Sequence, residues 1–155
     1  MKVDSKGLLP LIVADVFELA GHFREGGDAV AKTVGQTQAR WQVMSAASAA
    51  SPRTVPQIAR RLGVTRQNVQ RIADLLVNED WASFEANPDH KRSPYLVLNA
   101  CGQANLAKIT KAAEQRHAEL ARKLGSIDVG ALHRGLRRLI EALNDCDIAK
   151  GEEKS

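Results

Sequence analysis

Residues 54–99 read TVPQIARRLGVTRQNVQRIADLLVNEDWASFEANPDHKRSPYLVLN, and this stretch decides the fold of the chain. Thr54 followed by Gln57 is the pattern of a capping box at the start of a short helix. Gly63 supplies the positive φ that a sharp turn after that helix requires. Thr65 then caps a second helix, in which apolar residues recur at helical spacing. The first half of the stretch therefore predicts a helix-turn-helix.

The second half of the stretch predicts a β-hairpin. Residues 81–86 (WASFEA) have an aromatic, strand-like character, and residues 95–98 (YLVL) are apolar and rich in strand-forming residues. The segment between them, NPDHKRSP, is a loop by its Asn-Pro, Ser and Pro content. Two short helices followed by a hairpin with a basic tip have the element order of a winged helix-turn-helix. That order indicates duplex DNA as the partner.

Two helices are predicted before this stretch. Apolar residues between Leu8 and Phe23 fall on one helical face, and Gly26-Gly27 is expected to end that helix. A second helix is predicted over about 36–49, because Ser51-Pro52 follows it and disfavours helical backbone.

Two more helices are predicted after the hairpin. The first covers about 100–124, and the second covers about 128–148. Leucines in the second helix are spaced 4-3-4, at Leu132, Leu136, Leu139 and Leu143. This row is either buried inside the monomer or forms part of a dimer contact. The predicted fold class is mainly α with a small β-wing, in a single domain of 155 residues.

The charge of the chain is concentrated in the helix-turn-helix. The net charge is +4, and residues 1–50 carry five basic and five acidic side chains. Residues 53–73 carry five arginines and no acidic residue, so the charge of this segment alone is larger than the net charge of the whole chain. A concentrated basic stripe is expected of a protein that binds the phosphate backbone. The alternative, a winged helix used for protein–protein contact, does not need such a surface.

The sequence argues against several other classes of protein. The four histidines are scattered without metal-ligand spacing and there is no glycine-rich phosphate loop, so we expect no enzyme, metal or cofactor. No apolar run is long enough to cross a bilayer, and the N-terminus lacks the pattern of a signal peptide. These features predict a cytoplasmic protein that does not contact a membrane. Cys101 and Cys146 are expected to be reduced, with a redox-sensing Cys101 as the alternative.

The outward residues of the second helix are expected to read DNA. Gln and Asn can form paired hydrogen bonds with adenine, and Arg can do so with guanine. Residues near the N-terminus of such a helix reach the base edges. We therefore predict base contacts from Gln67, Asn68 and Arg71, with Thr65 and Arg66 shared between bases and phosphates. The predicted DNA-binding surface is completed by Arg53, Gln70 and the basic tip of the hairpin, His90, Lys91 and Arg92.

The chain resembles the MarR family of bacterial transcription regulators over nearly its whole length. The most specific parts of the resemblance are RWQVM at 40–44, IARRLGVTRQNV at 58–69 and the end of the hairpin, LVLN at 96–99. The resemblance implies winged-helix subunits that bind double-stranded DNA through about residues 36–99.

The resemblance also implies an assembly and a mode of regulation. Family members form homodimers through their terminal helices, which correspond to about 5–25 and 100–148 here. They typically repress genes by binding palindromic sites, and many release DNA when a small ligand, often phenolic or lipophilic, binds. The implied ligand site lies between the dimerisation helices and the DNA-binding part. Its suggested lining is Phe17, His22, Trp41 and His117, each of which also fits an ordinary core or surface position.

The wing departs from the family pattern at one position. An Asp-x-Arg motif of the family inserts its arginine into the minor groove, and it falls on residues 90–92 here. Arg92 is present, but His90 replaces the carboxylate, and Asp89 is displaced by one position. Either Asp89 takes the role of that carboxylate through a shifted loop, or the wing tip is held in a different way.

Overall fold

A computed structural model describes residues 5–48 and 50–152 and shows a mainly helical chain with one small sheet. The helices are α1 (Ser5–Thr33), α2 (Gln38–Ala47), α3 (Val55–Leu62), α4 (Arg66–Asn78), α5 (Ala100–Leu124) and α6 (Val129–Glu152). The strands are β1 (Arg53–Thr54), β2 (Ala82–Glu85) and β3 (Tyr95–Leu98). The predicted fold class, mainly α with a small β-wing, is confirmed.

The helix-turn-helix is built by the capping residues that the sequence indicated. The Thr54 hydroxyl accepts a hydrogen bond from the Gln57 backbone, and the Gln57 side chain accepts one from the Thr54 backbone, which completes the capping box. Gly63 ends α3 with a φ of 65°, in the left-handed region. Thr65 caps α4 by accepting a hydrogen bond from the Asn68 backbone. These local contacts fix both helices and the turn between them.

The wing is part of a three-stranded antiparallel sheet in the order β1-β3-β2. Phe84 pairs with Leu96 across the hairpin, and Leu96 pairs with Arg53 on its other side. Strand β1 was not predicted, because two residues are too short to show an alternating pattern. It joins the start of α3 to the wing, and this fixes the hairpin beside the helix-turn-helix.

The core lies between the helix-turn-helix, the sheet, α2 and one face of α5. Met44, Ile58, Leu76, Leu96 and Ile109 each have no exposed surface. They come from α2, α3, α4, β3 and α5 respectively. The core therefore holds the outer surface of α4 and the wing in a fixed relation to each other.

Helix α1 does not end at Gly26-Gly27, contrary to the prediction, but continues to Thr33. Both glycines are buried, and neighbouring side chains occupy the space that a Cβ would need. A Cβ on Gly26 would lie 2.1 Å from Nη2 of Arg116, and one on Gly27 would lie 1.4 Å from Oε1 of Gln38. The two glycines therefore do not mark a helix end. Because they lack a Cβ, they let neighbouring side chains approach the backbone of α1 closely.

The other boundaries differ from the predictions by a few residues. Helix α2 begins and ends two residues inside the predicted 36–49, and α6 runs past the predicted 148 to Glu152. Helix α5 and strand β3 have the predicted bounds. Helix α5 is followed by Gly125 with a φ of 56°, as expected of a helix C-terminus.

The contacts divide the chain into two units, residues 1–117 and 118–155, and the boundary falls inside α5. The first unit contains α1 and the winged helix, and the second contains the end of α5 and α6. No helix in the described part of the chain is long and apolar enough to cross a membrane.

Each unit exposes a row of large apolar side chains. On α1, apolar residues from Leu8 to Phe23 are exposed, and Phe17 reaches 75%. On α6, Leu132, Leu136 and Leu143 are exposed, so these three are not buried inside the monomer. An exposed apolar surface of this extent indicates an interaction site.

Candidate DNA-binding interface

Helix α4 presents one polar face outward because its opposite face is fixed in the core. Val69, Ile72, Ala73 and Leu76 are buried. The residues on the opposite side are exposed, and we call them the α4 outer face: Arg66, Gln67, Gln70, Arg71 and Asp74. The predicted base-contacting residues Gln67 and Arg71 belong to this face, and Asn68 lies half-buried at its edge.

Two side-chain pairs orient polar groups on the α4 outer face. Gln70 Nε2 donates a hydrogen bond to Asp74 Oδ1 over 2.8 Å. Arg71 Nη2 donates to Asn68 Oδ1 over 3.4 Å. Pairs three or four residues apart lie above one another on a helix, so each restricts the rotamers of both partners. The face therefore presents partly fixed donors and acceptors.

A concavity of about 440 Å³ separates the α4 outer face from the wing. Five residues of α3 and α4 line it, Val55, Pro56, Arg66, Gln67 and Gln70. Four residues of the hairpin complete the lining: Phe84, Arg92, Ser93 and Pro94. The structure thus brings Arg92 of the wing to the same surface as Arg66 and Gln67. Phe84 was not identified from the sequence, because a single strand residue gives no sign that it faces a groove.

The wing loop is held by Asn87, a residue that the sequence reasoning missed. Its side chain accepts a hydrogen bond from the Asp89 backbone over 3.0 Å and donates one to the Ser93 carbonyl over 2.9 Å. Asn87 is almost fully buried, at 9% exposure. The first of these bonds is an Asx-turn, which the Asn-Pro dipeptide could have signalled. Of the two alternatives left open for the wing, the structure therefore supports a tip held in a different way.

The basic residues of the wing tip lie just beyond this turn. His90, Lys91 and Arg92 are exposed. Among the side chains that the structure describes, none of the ion pairs involves Arg92. Its guanidinium is therefore available to an external anion.

Arg53 has a structural partner. Its Nη1 donates a hydrogen bond to the Ala46 carbonyl over 2.8 Å, and the side chain is half-buried. Carbonyls at the end of a helix lack partners within that helix, so Arg53 satisfies one of those of α2. Arg53 does not line the concavity. Its predicted contact with DNA stays a prediction.

An ion pair fixes the C-terminal end of α4. Arg40 of α2 donates from both Nη atoms to the two carboxylate oxygens of Glu79, the C-cap residue of α4. The Arg40 guanidinium also lies over the Trp81 ring, 4.7 Å from its centroid. The hydrogen bond from Arg40 lowers the pKa of Glu79 below its ordinary value of 4.5. This ion pair links α2 to α4. The other ion pairs of the described residues join positions within one helix or its adjoining turn.

The four residues suggested for an effector site occupy different environments. Phe17 and His117 are exposed, and His22 is exposed with its Nε2 3.7 Å from Glu18. Trp41 is partly buried and packs against the core. Their role in ligand binding stays a prediction. Cys101 and Cys146 are free and exposed, and no group of three His, Cys, Asp or Glu residues in the described ranges could hold a metal ion.

Comparisons with known proteins agree with this geometry. The model of the MarR family matches residues 35–93, which contain the helix-turn-helix and most of the wing. An uncharacterised protein of Mycobacterium tuberculosis (strain H37Rv) is 49% identical over 132 residues, which cover 85% of this chain and 92% of that protein.

Two solved structures of the family share the fold. A mutant MarR from E. coli complexed with operator DNA has a TM-score of 0.68 and 21% identity, covering 89% of this chain and 99% of that one. MarR of Staphylococcus aureus in complex with salicylate and kanamycin has a TM-score of 0.71 and 12% identity, covering 89% and 93%. From the family match and the winged helix described above, we conclude that the chain belongs to the MarR family of DNA-binding transcription regulators, a family of regulators rather than enzymes.

Proposed function

We propose that this protein is a repressor that binds an inverted-repeat operator as a homodimer and releases it when a small ligand binds. The observation that carries the proposal is the concavity between the α4 outer face and the wing. It places Arg66, Gln67 and Arg92 on one surface, so a helix in the major groove and a cation in the adjacent minor groove can act on the same duplex. A DNA partner would place the protein in the bacterial cytoplasm.

The residues proposed to bind DNA divide into three roles. Gln67, Asn68 and Arg71 contact base edges, where amide and guanidinium groups form paired hydrogen bonds. Thr65 and Arg66 at the N-terminus of α4 contact both bases and phosphates, together with Arg53 and Gln70. His90, Lys91 and Arg92 form the wing contact, in which Arg92 enters the minor groove.

The exposed apolar rows of α1 and α6 support the proposed homodimer. Two identical apolar surfaces can cover each other around a two-fold axis. Two α4 helices would then enter successive major grooves about 34 Å apart, and this requires an inverted repeat in the operator. In this arrangement the whole chain is one MarR-type domain, with DNA binding at about 36–99 and dimerisation through the terminal helices.

Release by a ligand is the second part of the proposal. The Staphylococcus aureus relative was solved with salicylate, a small phenolic acid. We propose that a phenolic or lipophilic effector binds near Phe17, His22, Trp41 and His117. Titration of the protein–operator complex with salicylate, followed by fluorescence anisotropy of labelled DNA, measures release directly.

The DNA-binding role is tested by Arg92→Ala. We expect the dissociation constant for a duplex selected by the protein itself to rise about tenfold at fixed salt, because an arginine in the minor groove is lost. Lys123→Ala is the control, since Lys123 also carries one positive charge but lies outside the winged helix and pairs with Glu119. Equal affinity of Arg92→Ala and the parent protein would show that the wing does not contact DNA.

Asn68→Ala tests the assignment of base contacts. It should relax the preference at one base pair in each half-site and leave the affinity for unrelated DNA unchanged. A uniform loss of affinity across all sequences would instead make Asn68 a phosphate contact.

A further inference from the structure

We propose that Asp74 determines which base Gln70 reads, because it holds the Gln70 amide in one orientation. The inference rests on the proposed function, since it assigns a base preference to one side chain of the α4 outer face. Both side chains are exposed and lie one helical turn apart. Gln70 Nε2 donates to Asp74 Oδ1 over 2.8 Å, which is within the usual range for a well-formed N–H···O hydrogen bond.

The chemistry of the carboxylate fixes the direction of the amide. A carboxylate has acceptors only, so Gln70 must turn its NH₂ group toward Asp74. The oxygen Oε1 of Gln70 is then directed away from Asp74, and one N–H of the amide is still available. A glutamine without such a partner can present either its oxygen or its nitrogen to the same base.

The held amide matches one base better than the others. Adenine presents the N6 donor beside the N7 acceptor in the major groove, and these pair with the Gln70 oxygen and its remaining N–H. Guanine presents two acceptors, O6 and N7, so one of them would face the Gln70 oxygen. Pairing with guanine therefore requires the amide to turn over and lose its bond to Asp74. Cytosine, whose N4 group is a donor, is the second choice.

The position of Asp74 makes a separate electrostatic prediction. Residues 53–73 contain no acidic residue, and Asp74 follows that run directly on the face that meets DNA. A carboxylate at this place repels the phosphate backbone of any duplex. Asp74 therefore weakens binding to DNA in general while it increases selectivity for one base. If Asp74 had only a structural role, replacing it would not raise the affinity for DNA in general while lowering the selectivity for one base.

The experiment uses the full chain and begins with selection from a randomised duplex pool. The selected duplex and its single-base-pair variants are then bound to the parent and to Asp74→Ala at fixed salt. For the parent, we expect adenine to be preferred over guanine by about tenfold at the base pair that Gln70 reads. For Asp74→Ala, that ratio should fall below about twofold, while the affinity for an unrelated duplex rises about threefold.

Two further variants make the test specific. Asp74→Glu keeps a carboxylate that can accept from Gln70, so it should keep the adenine preference. Gln70→Ala should lose the preference at the same base pair, and Asp74→Ala should then have no further effect on it. An unchanged adenine-to-guanine ratio in Asp74→Ala, or a change at a base pair that Gln70→Ala does not affect, would overturn the inference. Failure of the parent to select any recurring sequence would contradict the proposed function itself.

Discussion

The winged helix and the terminal helices treat their apolar residues in opposite ways. In the winged helix, Ile58, Leu76 and Leu96 are completely buried within one chain. On α1 and α6, residues of the same chemical kind are exposed, with Phe17 at 75% and Leu132 at 50%. Burial of such side chains is the main favourable contribution to folding and association. The winged helix therefore buries its apolar residues within one chain, whereas the terminal helices leave theirs uncovered in a single chain.

The sharpest test of this contrast is a matched pair of leucine truncations. Leu76→Ala removes a fully buried side chain, so the free energy of unfolding should fall by about 3 kcal/mol. Leu132→Ala makes the same chemical change on α6, where one chain leaves the side chain exposed. In urea denaturation at a protein concentration low enough to give monomers, it should lose less than about 1 kcal/mol. If both variants lost the same free energy of unfolding, the winged helix and α6 would not differ in how much their apolar residues stabilise a single chain.

A charge in the apolar row of α6 tests whether a second copy covers it. Leu132→Glu should raise the dissociation constant of the dimer about a hundredfold, because an unpaired carboxylate would be buried in the contact. Arg137→Glu adds an acid on the polar side of the same helix and should have a much smaller effect. Sedimentation equilibrium measures both. A parent protein that sediments as a monomer at micromolar concentration would exclude the proposed dimer.

A pair of glycine substitutions compares the packing of the two regions. A Cβ on Gly102 would lie 2.1 Å from the Trp81 carbonyl oxygen, a backbone atom that cannot easily move. Gly102→Ala should therefore lower the free energy of unfolding by about 2 kcal/mol, even though alanine favours helix. A Cβ on Gly135 of α6 would meet no atom of the described residues within 4 Å, apart from its chain neighbours and the backbone of its own helix. Gly135→Ala should therefore raise stability by about 0.5 kcal/mol.

Thermal melting of the two glycine variants shows directly whether each is less or more stable than the parent protein. A more stable Gly102→Ala would show that the start of α5 is not packed tightly against the Trp81 backbone.

The smallest expected effect is on the pH dependence of stability. The pKa of Glu79 is lowered by its hydrogen bond from Arg40, so its contribution is fully present above pH 4.5, the ordinary value. This contribution is lost as the pH falls through the lowered pKa. Because the Glu79 side chain is 40% exposed, solvent screening should keep it below about 1 kcal/mol.

The comparison of Glu79→Gln with the parent between pH 7 and about pH 3 measures this contribution. Glu119→Gln, which breaks the exposed pair with Lys123 within α5, is the control and should have no measurable effect. An equal pH dependence in both variants would mean that the ion pair between α2 and α4 does not contribute to the stability of the fold.

Local patterns in the sequence were sufficient to predict the helix-turn-helix. The capping box at Thr54 and the left-handed turn at Gly63 depend on residues only a few positions apart, so they are visible in a single sequence. The bounds of α5 and β3 were predicted for the same reason. Contacts between distant residues were not visible. Gly26-Gly27 lies inside α1 with Arg116 and Gln38 packed against it, and no local signal shows that packing.

The candidate site was predicted only in part for the same physical reason. The polar residues of the α4 outer face follow from helical periodicity, but their partners do not. The ion pair between Arg40 and Glu79 joins residues 39 positions apart. The position of Phe84 at the concavity depends on how the hairpin lies beside the helices. The Arg53 contact with Ala46 depends on how β1 lies against the end of α2. Asn87 is different, since its Asn-Pro context was a local turn signal that the sequence reasoning took only as evidence for a loop.

The use of an amide to hold the wing has a consequence for the ionic balance of DNA binding. Asn87 is neutral, so the side chain that holds the loop adds no negative charge of its own near Arg92. A carboxylate in that role would offset part of the arginine's charge before DNA arrives. With the amide, each wing can displace the counterions of its phosphates with a full positive charge. The affinity for DNA should therefore depend steeply on salt concentration, while the two hydrogen bonds of the Asn87 amide involve no group that gains or loses a proton.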